Sequence, residues 1–264
     1  MRWNKLALMP LALASVVSFF MVRGASQKRP SQQATSTPAA QSSGTPLGQL
    51  PEPGPVPDEK TQRAQPGFLV LIDASHGGDD RGEVFAPRMY EKDVTLALAR
   101  DLRKELEERG IPARLLRDSD ASLSLDHRVE ITNEQRGGIY VALHAGRAGG
   151  GVRVYAPILA SAPAQTAAKD RFVPWASAQS ASLDRSKALA RSVFREMQRR
   201  SLTVASLRVP LRPLNNITTT AIAVELAPER GELRSLESAK RQNAVASAIA
   251  SGIAQMRGQM GVRP

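Results

Sequence analysis

Short apolar runs alternate with amphipathic stretches from about residue 67 onward. The run at 67–73 is typical of a strand buried on both faces of a sheet, and the runs at 139–143 and 218–226 predict two further strands. Between and after these runs, apolar residues recur every three or four positions, which predicts helices with one buried face. The three clearest sets are Val94, Leu98, Leu102 and Leu106; Ala190, Val193, Phe194 and Met197; and Val245, Ile249, Ile253 and Met256.

Shorter elements complete the pattern. Ser124 is a suitable N-cap for a helix that runs to Asn133. Strands that alternate with helices favour a single three-layer α/β domain, in which helices cover both faces of a mostly parallel, twisted sheet. The last of the short strands is predicted to be an edge strand because Pro210 follows it. The short strands lie at 113–116, 152–155 and 206–209.

The first 66 residues have a different composition. Arg2 and Lys5 precede an uncharged apolar run at 6–22, which is how a secretory signal or a membrane anchor begins. Residues 27–66 are rich in Ser, Gln, Thr and Pro, so they cannot bury enough apolar surface to fold. We therefore predict a signal peptide or membrane anchor over 1–26, a disordered linker over 27–66 and the folded α/β domain over 67–264.

This organisation predicts an exported protein of the periplasm or cell envelope. Removal of the leader and its retention as a membrane tether through residues 6–22 both remain open, since a helix of that length spans about 26 Å against a hydrocarbon core of ~30 Å. No oligomeric state is predicted.

Composition narrows the chemistry. The chain has no cysteine, so any metal must be held by nitrogen and oxygen atoms, which excludes zinc fingers and iron–sulfur clusters. The net charge of +11 suits an anionic partner such as a cell-wall polymer or anionic lipid, although it equally fits ordinary solubility. Aromatic residues make up only 4% of the chain and export is predicted, so no nucleic-acid partner is expected.

Four polar residues stand at predicted element ends. His76 follows the first strand, His144 comes directly after the strand at 139–143, and Glu225 closes the last strand, while Glu91 precedes a helix. Ligands bind beyond the carboxyl ends of the strands in such sheets, so His76, His144 and Glu225 should meet at one edge. Two imidazoles, one carboxylate and a spare carboxylate are the components of an open zinc site with a general base.

Each of these residues also has a simpler explanation when it is taken alone. His144 follows apolar residues and could be a core histidine, and acids such as Glu91 are common at the positive end of a helix. Glu225 is the most informative of the four, because a partly buried carboxylate is costly unless it is paired or functional. The third histidine, His127, lies among charged residues and is interpreted as a surface or structural residue.

The ordered set of motifs resembles the zinc-dependent N-acetylmuramoyl-L-alanine amidases of type 3. The resemblance covers most of residues 67–256, in the correct order. A single His-Gly-Gly string would be weak evidence, whereas the ordered set is specific. The segments that carry it are His76-Gly77-Gly78, Glu91-Lys92-Asp93, Arg117-Asp118-Ser119-Asp120, Arg128 with Asn133, Leu143-His144-Ala145 and Val224-Glu225-Leu226.

The resemblance implies roles for these residues. It makes His76, Glu91 and His144 zinc ligands and Glu225 the catalytic carboxylate. The implied reaction is hydrolysis of the amide bond between N-acetylmuramic acid and L-alanine in peptidoglycan. The alternatives are another zinc peptidase, such as a carboxypeptidase, and a degenerate member that binds peptidoglycan without cleaving it.

The chain departs from the family pattern at three places. Ser75 stands where the family usually has proline before the first histidine. Gly146 stands where the family usually has asparagine after His-Ala. The segment 226–229 reads Leu-Ala-Pro-Glu instead of beginning with Gly-Phe. These departures concern the wall of the expected pocket and the contacts of the four residues.

Overall fold

The structure is a computed structural model that describes residues 68–135, 138–159 and 175–259. The predicted leader at 1–26 and the linker at 27–66 lie outside the described residues. Four helices and eight strands are described: β1 (Val70–Ala74), β2 (Val84–Ala86), β3 (Met89–Tyr90), α1 (Glu91–Glu107), β4 (Ala113–Leu115), α2 (Leu125–Glu134), β5 (Ile139–Ala145), β6 (Val152–Pro157), α3 (Leu183–Arg199), β7 (Val204–Val209), β8 (Thr220–Leu226) and α4 (Ala239–Gln259).

Six of these strands form one sheet in the order β4-β1-β5-β8-β6-β7. All neighbouring strands run parallel except β6 and β8, which are antiparallel. The predicted mostly parallel sheet is therefore confirmed. The strand before Pro210 lies at one edge of this sheet, as predicted.

Side chains of successive strand residues enter two separate cores, because they point to opposite faces of the sheet. Ile72 and Val141 belong to the larger core, which also contains apolar residues of α1, α3 and α4. Leu71 and Tyr140 belong to the smaller core, together with Val129 of α2. Helices therefore cover both faces, which confirms the three-layer α/β fold.

A short hairpin was not predicted from the sequence. β2 and β3 pair in antiparallel fashion just before α1. Strands of two and three residues leave no periodic pattern, and Val84 is half exposed in any case. The hairpin leads directly into α1, which starts at Glu91, three residues before the first apolar position of its stripe at Val94.

The N-cap of α2 agrees with prediction. The Ser124 side chain accepts a hydrogen bond from the backbone N–H of His127. The His127 ring is about half exposed and lies near Glu130. Across the described ranges, none of the helices is both long enough and apolar enough to cross a membrane.

Candidate metal centre and adjacent carboxylate

The carboxyl ends of β1, β5 and β8 lie side by side, and the polar residues that follow or end them line one groove. His144 and Glu225 are direct register partners on neighbouring parallel strands. His76 follows β1, and Glu91 enters the groove from the first turn of α1. The cavity here has a volume of about 440 Å³, and all four residues line it.

His76, Glu91 and His144 form a compact donor cluster. One nitrogen or oxygen atom from each lies within 4.8 Å of the others. Nε2 of His76 is 3.1 Å from Oε2 of Glu91, and Nδ1 of His144 is 3.1 Å from Oε1 of the same carboxylate. Tetrahedral zinc with bonds of about 2.0–2.1 Å sets its ligand atoms roughly 3.3 Å apart. The donor types and their spacing therefore fit zinc.

The outward nitrogen of each imidazole is also held. Nδ1 of His76 is 2.8 Å from a carboxylate oxygen of Asp80, and Nε2 of His144 is 2.9 Å from the hydroxyl of Ser75. Such contacts orient the rings and select the nitrogen that is left for a metal. In this arrangement Nε2 of His76 and Nδ1 of His144 face Glu91.

The backbone around His76 turns sharply. His76 has a φ of 64°, which is uncommon for a residue with a side chain. Gly82 follows the turn, and a Cβ at Gly82 would lie 2.6 Å from Cδ2 of His76 and 2.7 Å from Oε2 of Glu91. Glycine is required at Gly82 because any side chain there would displace the cluster.

Two buried arginines stabilise this turn. Arg128 donates to the backbone carbonyl of His76 at 2.9 Å and to that of Ala74 at 3.1 Å. Arg117 donates to the carbonyl of Ala74 at 2.9 Å and to that of Ser75 at 3.2 Å. Three consecutive carbonyls, beginning with that of the last residue of β1, are therefore fixed by charged donors, which are stronger than neutral ones.

Opposing effects determine the charge of the cluster. Burial by itself raises the pKa of Glu91, but hydrogen bonds from His144, His76 and the backbone N–H of Glu83 outweigh burial and hold that pKa far below its usual range. Burial lowers the pKa of His76, but the pairing with Glu91 and Asp80 reverses this and leaves the pKa raised. In the metal-free protein Glu91 is thus an anion between two imidazoles.

Glu225 is held separately, by side chains of β6. Its carboxylate accepts hydrogen bonds from Nε of Arg153 at 2.9 Å, from Nη2 of Arg153 and from the hydroxyl of Tyr155. The side chains of Glu225 and Arg153 are both largely buried. The structure thus brings together all four residues singled out from the sequence, with Glu225 outside the three-residue donor cluster.

Sequence reasoning did not identify the contacts made by Ser75, Arg153 and Tyr155. A signal existed for the last two, since they alternate with the buried Val152 and Val154 along a strand that borders the one carrying Glu225. No comparable signal existed for Ser75, because it follows β1 and lies in no strand or helix.

Comparison with known proteins finds one family repeatedly. The family model described as N-acetylmuramoyl-L-alanine amidase (Amidase_3) matches residues 70–255. N-acetylmuramoyl-L-alanine amidase AmiA of Salmonella typhimurium is 37% identical over 86 residues, which are 33% of this chain and 30% of that protein. AmiA of Escherichia coli is 38% identical over 77 residues, which are 29% of this chain and 27% of that protein. The chain therefore spans less than a third of the length of these curated relatives.

Solved structures match a larger share of this chain than these curated relatives do. AmiC2 of Nostoc punctiforme is 27% identical, with a TM-score of 0.56 over 71% of this chain and 96% of that one. The catalytic domain of CwlV from Bacillus (Paenibacillus) polymyxa var. colistinus is 25% identical, with a TM-score of 0.57 over 74% of this chain and 99% of that one. Both are titled N-acetylmuramoyl-L-alanine amidases, and both match nearly the whole of their own chains.

Proposed function

The chain belongs to the N-acetylmuramoyl-L-alanine amidase (Amidase_3) family, and from this premise we propose that it is a zinc-dependent peptidoglycan amidase. Its substrate is the amide bond between the lactyl group of N-acetylmuramic acid and L-alanine of the stem peptide. His76, Glu91 and His144 hold the zinc ion, and Glu225 is the catalytic carboxylate.

One observation carries this proposal: a His–Glu–His donor cluster and a separate carboxylate share one open groove. A catalytic zinc site characteristically has three protein ligands and an open position, whereas a structural site is closed by four. Here three residues form the cluster and the fourth, Glu225, is paired elsewhere. This division suits a hydrolase better than a structural metal site.

The zinc ion would supply Lewis acidity that activates water and polarises the amide carbonyl. Glu225 takes a proton from the attacking water as the water oxygen bonds to the carbonyl carbon. The same carboxylate then delivers that proton to the nitrogen of L-alanine as the C–N bond breaks. The products are a lactyl carboxylic acid on the glycan and a stem peptide with a free amino terminus.

The proposal extends to the organisation of the chain. Residues 1–26 export the protein or anchor it, residues 27–66 form a flexible tether, and residues 67–264 carry the activity. Support comes from the apolar run at 6–22 and from the composition of 27–66. A periplasmic or cell-envelope location follows, where peptidoglycan is available.

The test uses the purified chain with zinc and defined muropeptides, and it identifies the products by mass spectrometry. We expect an intact stem peptide that begins with L-alanine, together with a saccharide that carries a free lactyl carboxylate. Loss of a terminal amino acid alone would indicate the carboxypeptidase alternative instead. Binding to sacculi without any product would indicate the non-catalytic alternative.

Metal analysis of variants tests the assigned residues. We expect about one zinc ion per chain in the wild type, and loss of that ion in His76→Ala and His144→Ala. His127→Ala is the matched control, because His127 is the remaining histidine and lies on the exposed side of α2. Glu225→Gln should keep zinc while its turnover falls by roughly 10²–10⁴-fold. An active Glu225→Gln variant would contradict the mechanism.

A further inference from the structure

Arg153 faces Glu225 across a pair of antiparallel strands. The two residues are direct register partners on β6 and β8. The guanidinium meets the carboxylate through two nitrogens, with Nε on Oε2 and Nη2 on Oε1. A planar fork that binds both oxygens fixes the plane of a carboxylate, which a single contact cannot do.

Tyr155 completes this arrangement. It lies two positions further along β6, so it points to the same face of the sheet as Arg153. Its hydroxyl donates to Oε2 of Glu225, and it also lies 3.0 Å from Nε of Arg153. Nη1 of Arg153 donates to the backbone carbonyl of Ala148, which anchors the fork itself.

The two oxygens of Glu225 are not equivalent. Among the residues that the structure describes, Oε2 accepts two hydrogen bonds, one from Arg153 and one from Tyr155, whereas Oε1 accepts one, from Arg153. A carboxylate offers about four acceptor positions, two on each oxygen. After these three contacts, the remaining position is on Oε1.

Gly146 leaves space beside that oxygen. A Cβ added to Gly146 would overlap Oε1 of Glu225 and would lie 3.4 Å from Nη2 of Arg153. No left-handed backbone accounts for this glycine, because Gly146 is not among the residues with positive φ. The position of the Glu225 carboxylate therefore explains why residue 146 is a glycine.

We propose that Arg153 and Tyr155 are positioning residues that hold Glu225 so that its Oε1 accepts the proton of water, in space kept free by Gly146. This inference rests on the proposed function, because it assigns a proton to Glu225. It adds a role for three residues outside the metal centre. Gly146, which departs from the family pattern, then acts together with Arg153 to position Glu225.

Arg153 and Tyr155 both keep their protons at neutral pH, which they need in order to donate hydrogen bonds to Glu225. Burial and the hydrogen bond to Glu225 raise the pKa of Tyr155 to about 12. The hydrogen bond to Glu225 also raises the pKa of Arg153. Both side chains therefore remain hydrogen-bond donors at neutral pH.

The test compares kcat, KM and zinc content of variants with a defined muropeptide. Arg153→Met should lower kcat by about 10²-fold, as expected when a reacting group is misplaced by about 1 Å, while KM and zinc content stay within twofold. Arg153→Lys restores the charge and one hydrogen bond, so it should recover part of the lost kcat. Tyr155→Phe should lower kcat by a smaller factor than Arg153→Met.

Two glycine variants test the space beside Oε1. Gly146→Ala should lower kcat without loss of zinc, because the added carbon takes the place of the carboxylate. Gly150→Ala is the matched control: it lies in the same loop, has no positive φ, and its Cβ would come no closer than 3.6 Å to another atom. We expect Gly150→Ala to retain the wild-type kcat.

The outcomes separate this inference from the proposed function. An active wild type with an unchanged or raised kcat in Arg153→Met would overturn the positioning role and leave the amidase proposal standing. Equal loss in Arg153→Met and Arg153→Lys together with loss of zinc would also overturn it, because it would show a role in folding. A wild type that binds zinc but releases no stem peptide would contradict both the positioning role and the amidase proposal.

Discussion

The hydroxyl of Ser75 lies 2.9 Å from Nε2 of His144, on the side of the imidazole that faces away from Glu91. Proline at this position could not make that contact. It would also remove the hydrogen bond from the Ser75 backbone N–H to the carbonyl of Leu143, which measures 3.1 Å. The first departure from the family pattern thus adds a contact that orients the second histidine.

Ser75→Ala should weaken zinc binding by about 10–100-fold, the usual effect of removing a hydrogen bond behind a ligating histidine. The measurement is a competition titration with a chromophoric chelator. Ser75→Thr retains the hydroxyl and serves as the matched variant, with affinity closer to the wild type. Equal affinities for Ser75→Ala and the wild type would show that this contact does not support the metal site.

A pair of glycines allows steric and backbone effects to be separated. Gly82 and Gly110 have nearly the same conformation, with φ of 63° and 65°. A Cβ at Gly82 would strike His76 and Glu91, whereas a Cβ at Gly110 would meet nothing within 4 Å. The left-handed conformation costs a side-chain residue about 1–2 kcal/mol at either position.

We expect both Gly82→Ala and Gly110→Ala to lose stability from backbone strain, with the larger loss in Gly82→Ala because its Cβ also overlaps His76 and Glu91, and only Gly82→Ala to lose zinc affinity. Urea unfolding of the metal-free protein measures the first effect, and chelator competition measures the second. If both variants bind zinc as the wild type does, Gly82 is not needed to shape the cluster.

Much of the fold could be predicted because its signals are local. The continuous apolar run that became β1 and the four-residue spacing that became α1 each lie within one element. The positions of His76, His144 and Glu225 followed from one rule about parallel sheets, without any long-range contact. The β2–β3 hairpin is too short to leave such a pattern.

The contacts around the site could not be predicted, because they join residues that are distant in sequence. Arg153 and Glu225 are 72 positions apart, and their meeting depends on β6 running antiparallel to β8. The direction of β6 depends on the segments that connect it to the rest of the sheet. The residues of β6 themselves give no local signal of that direction. Glycine at position 146 likewise has no visible reason until the place of the Glu225 carboxylate is known.

The stabilisation of the fold by zinc should increase as pH rises. The pKa of His76 is raised in the metal-free fold, so its charged pairing with Glu91 stabilises that fold fully below the ordinary histidine pKa and is lost as pH rises through the raised value. The pKa of Glu91 is depressed, so its contribution is fully present above the ordinary glutamate pKa and is lost progressively as pH falls from there towards the depressed value. Zinc must displace the proton from His76, which becomes easier as pH rises.

The difference in Tm between zinc-loaded and chelated protein should therefore widen from pH 5.5 to pH 8. Scanning calorimetry with excess zinc or excess chelator measures it, and His127→Ala should behave as the wild type. His76→Ala should show little difference at any pH in this range. A difference that narrows as pH rises would contradict the assignment of His76 as a ligand.

Arg128, which donates to the backbone carbonyl of His76, also forms a buried ion pair. Arg128 pairs with Asp73, whose second oxygen accepts a hydrogen bond of 2.5 Å from the hydroxyl of Tyr140. All three side chains are almost wholly buried. Removal of one partner leaves the other charge without compensation, which typically costs about 3–5 kcal/mol.

Arg128→Met should thus lower the free energy of unfolding by about 3–5 kcal/mol, since Asp73 loses its cation and the carbonyl of His76 loses a donor. Tyr140→Phe removes one hydrogen bond and should cost about 1–3 kcal/mol. Arg103→Met is the control, because the contact of Arg103 with Glu107 is exposed and such pairs contribute about 0–1 kcal/mol. Urea unfolding followed by circular dichroism would measure all three, and equal losses in Arg128→Met and Arg103→Met would show that the buried pair does not hold the turn at His76.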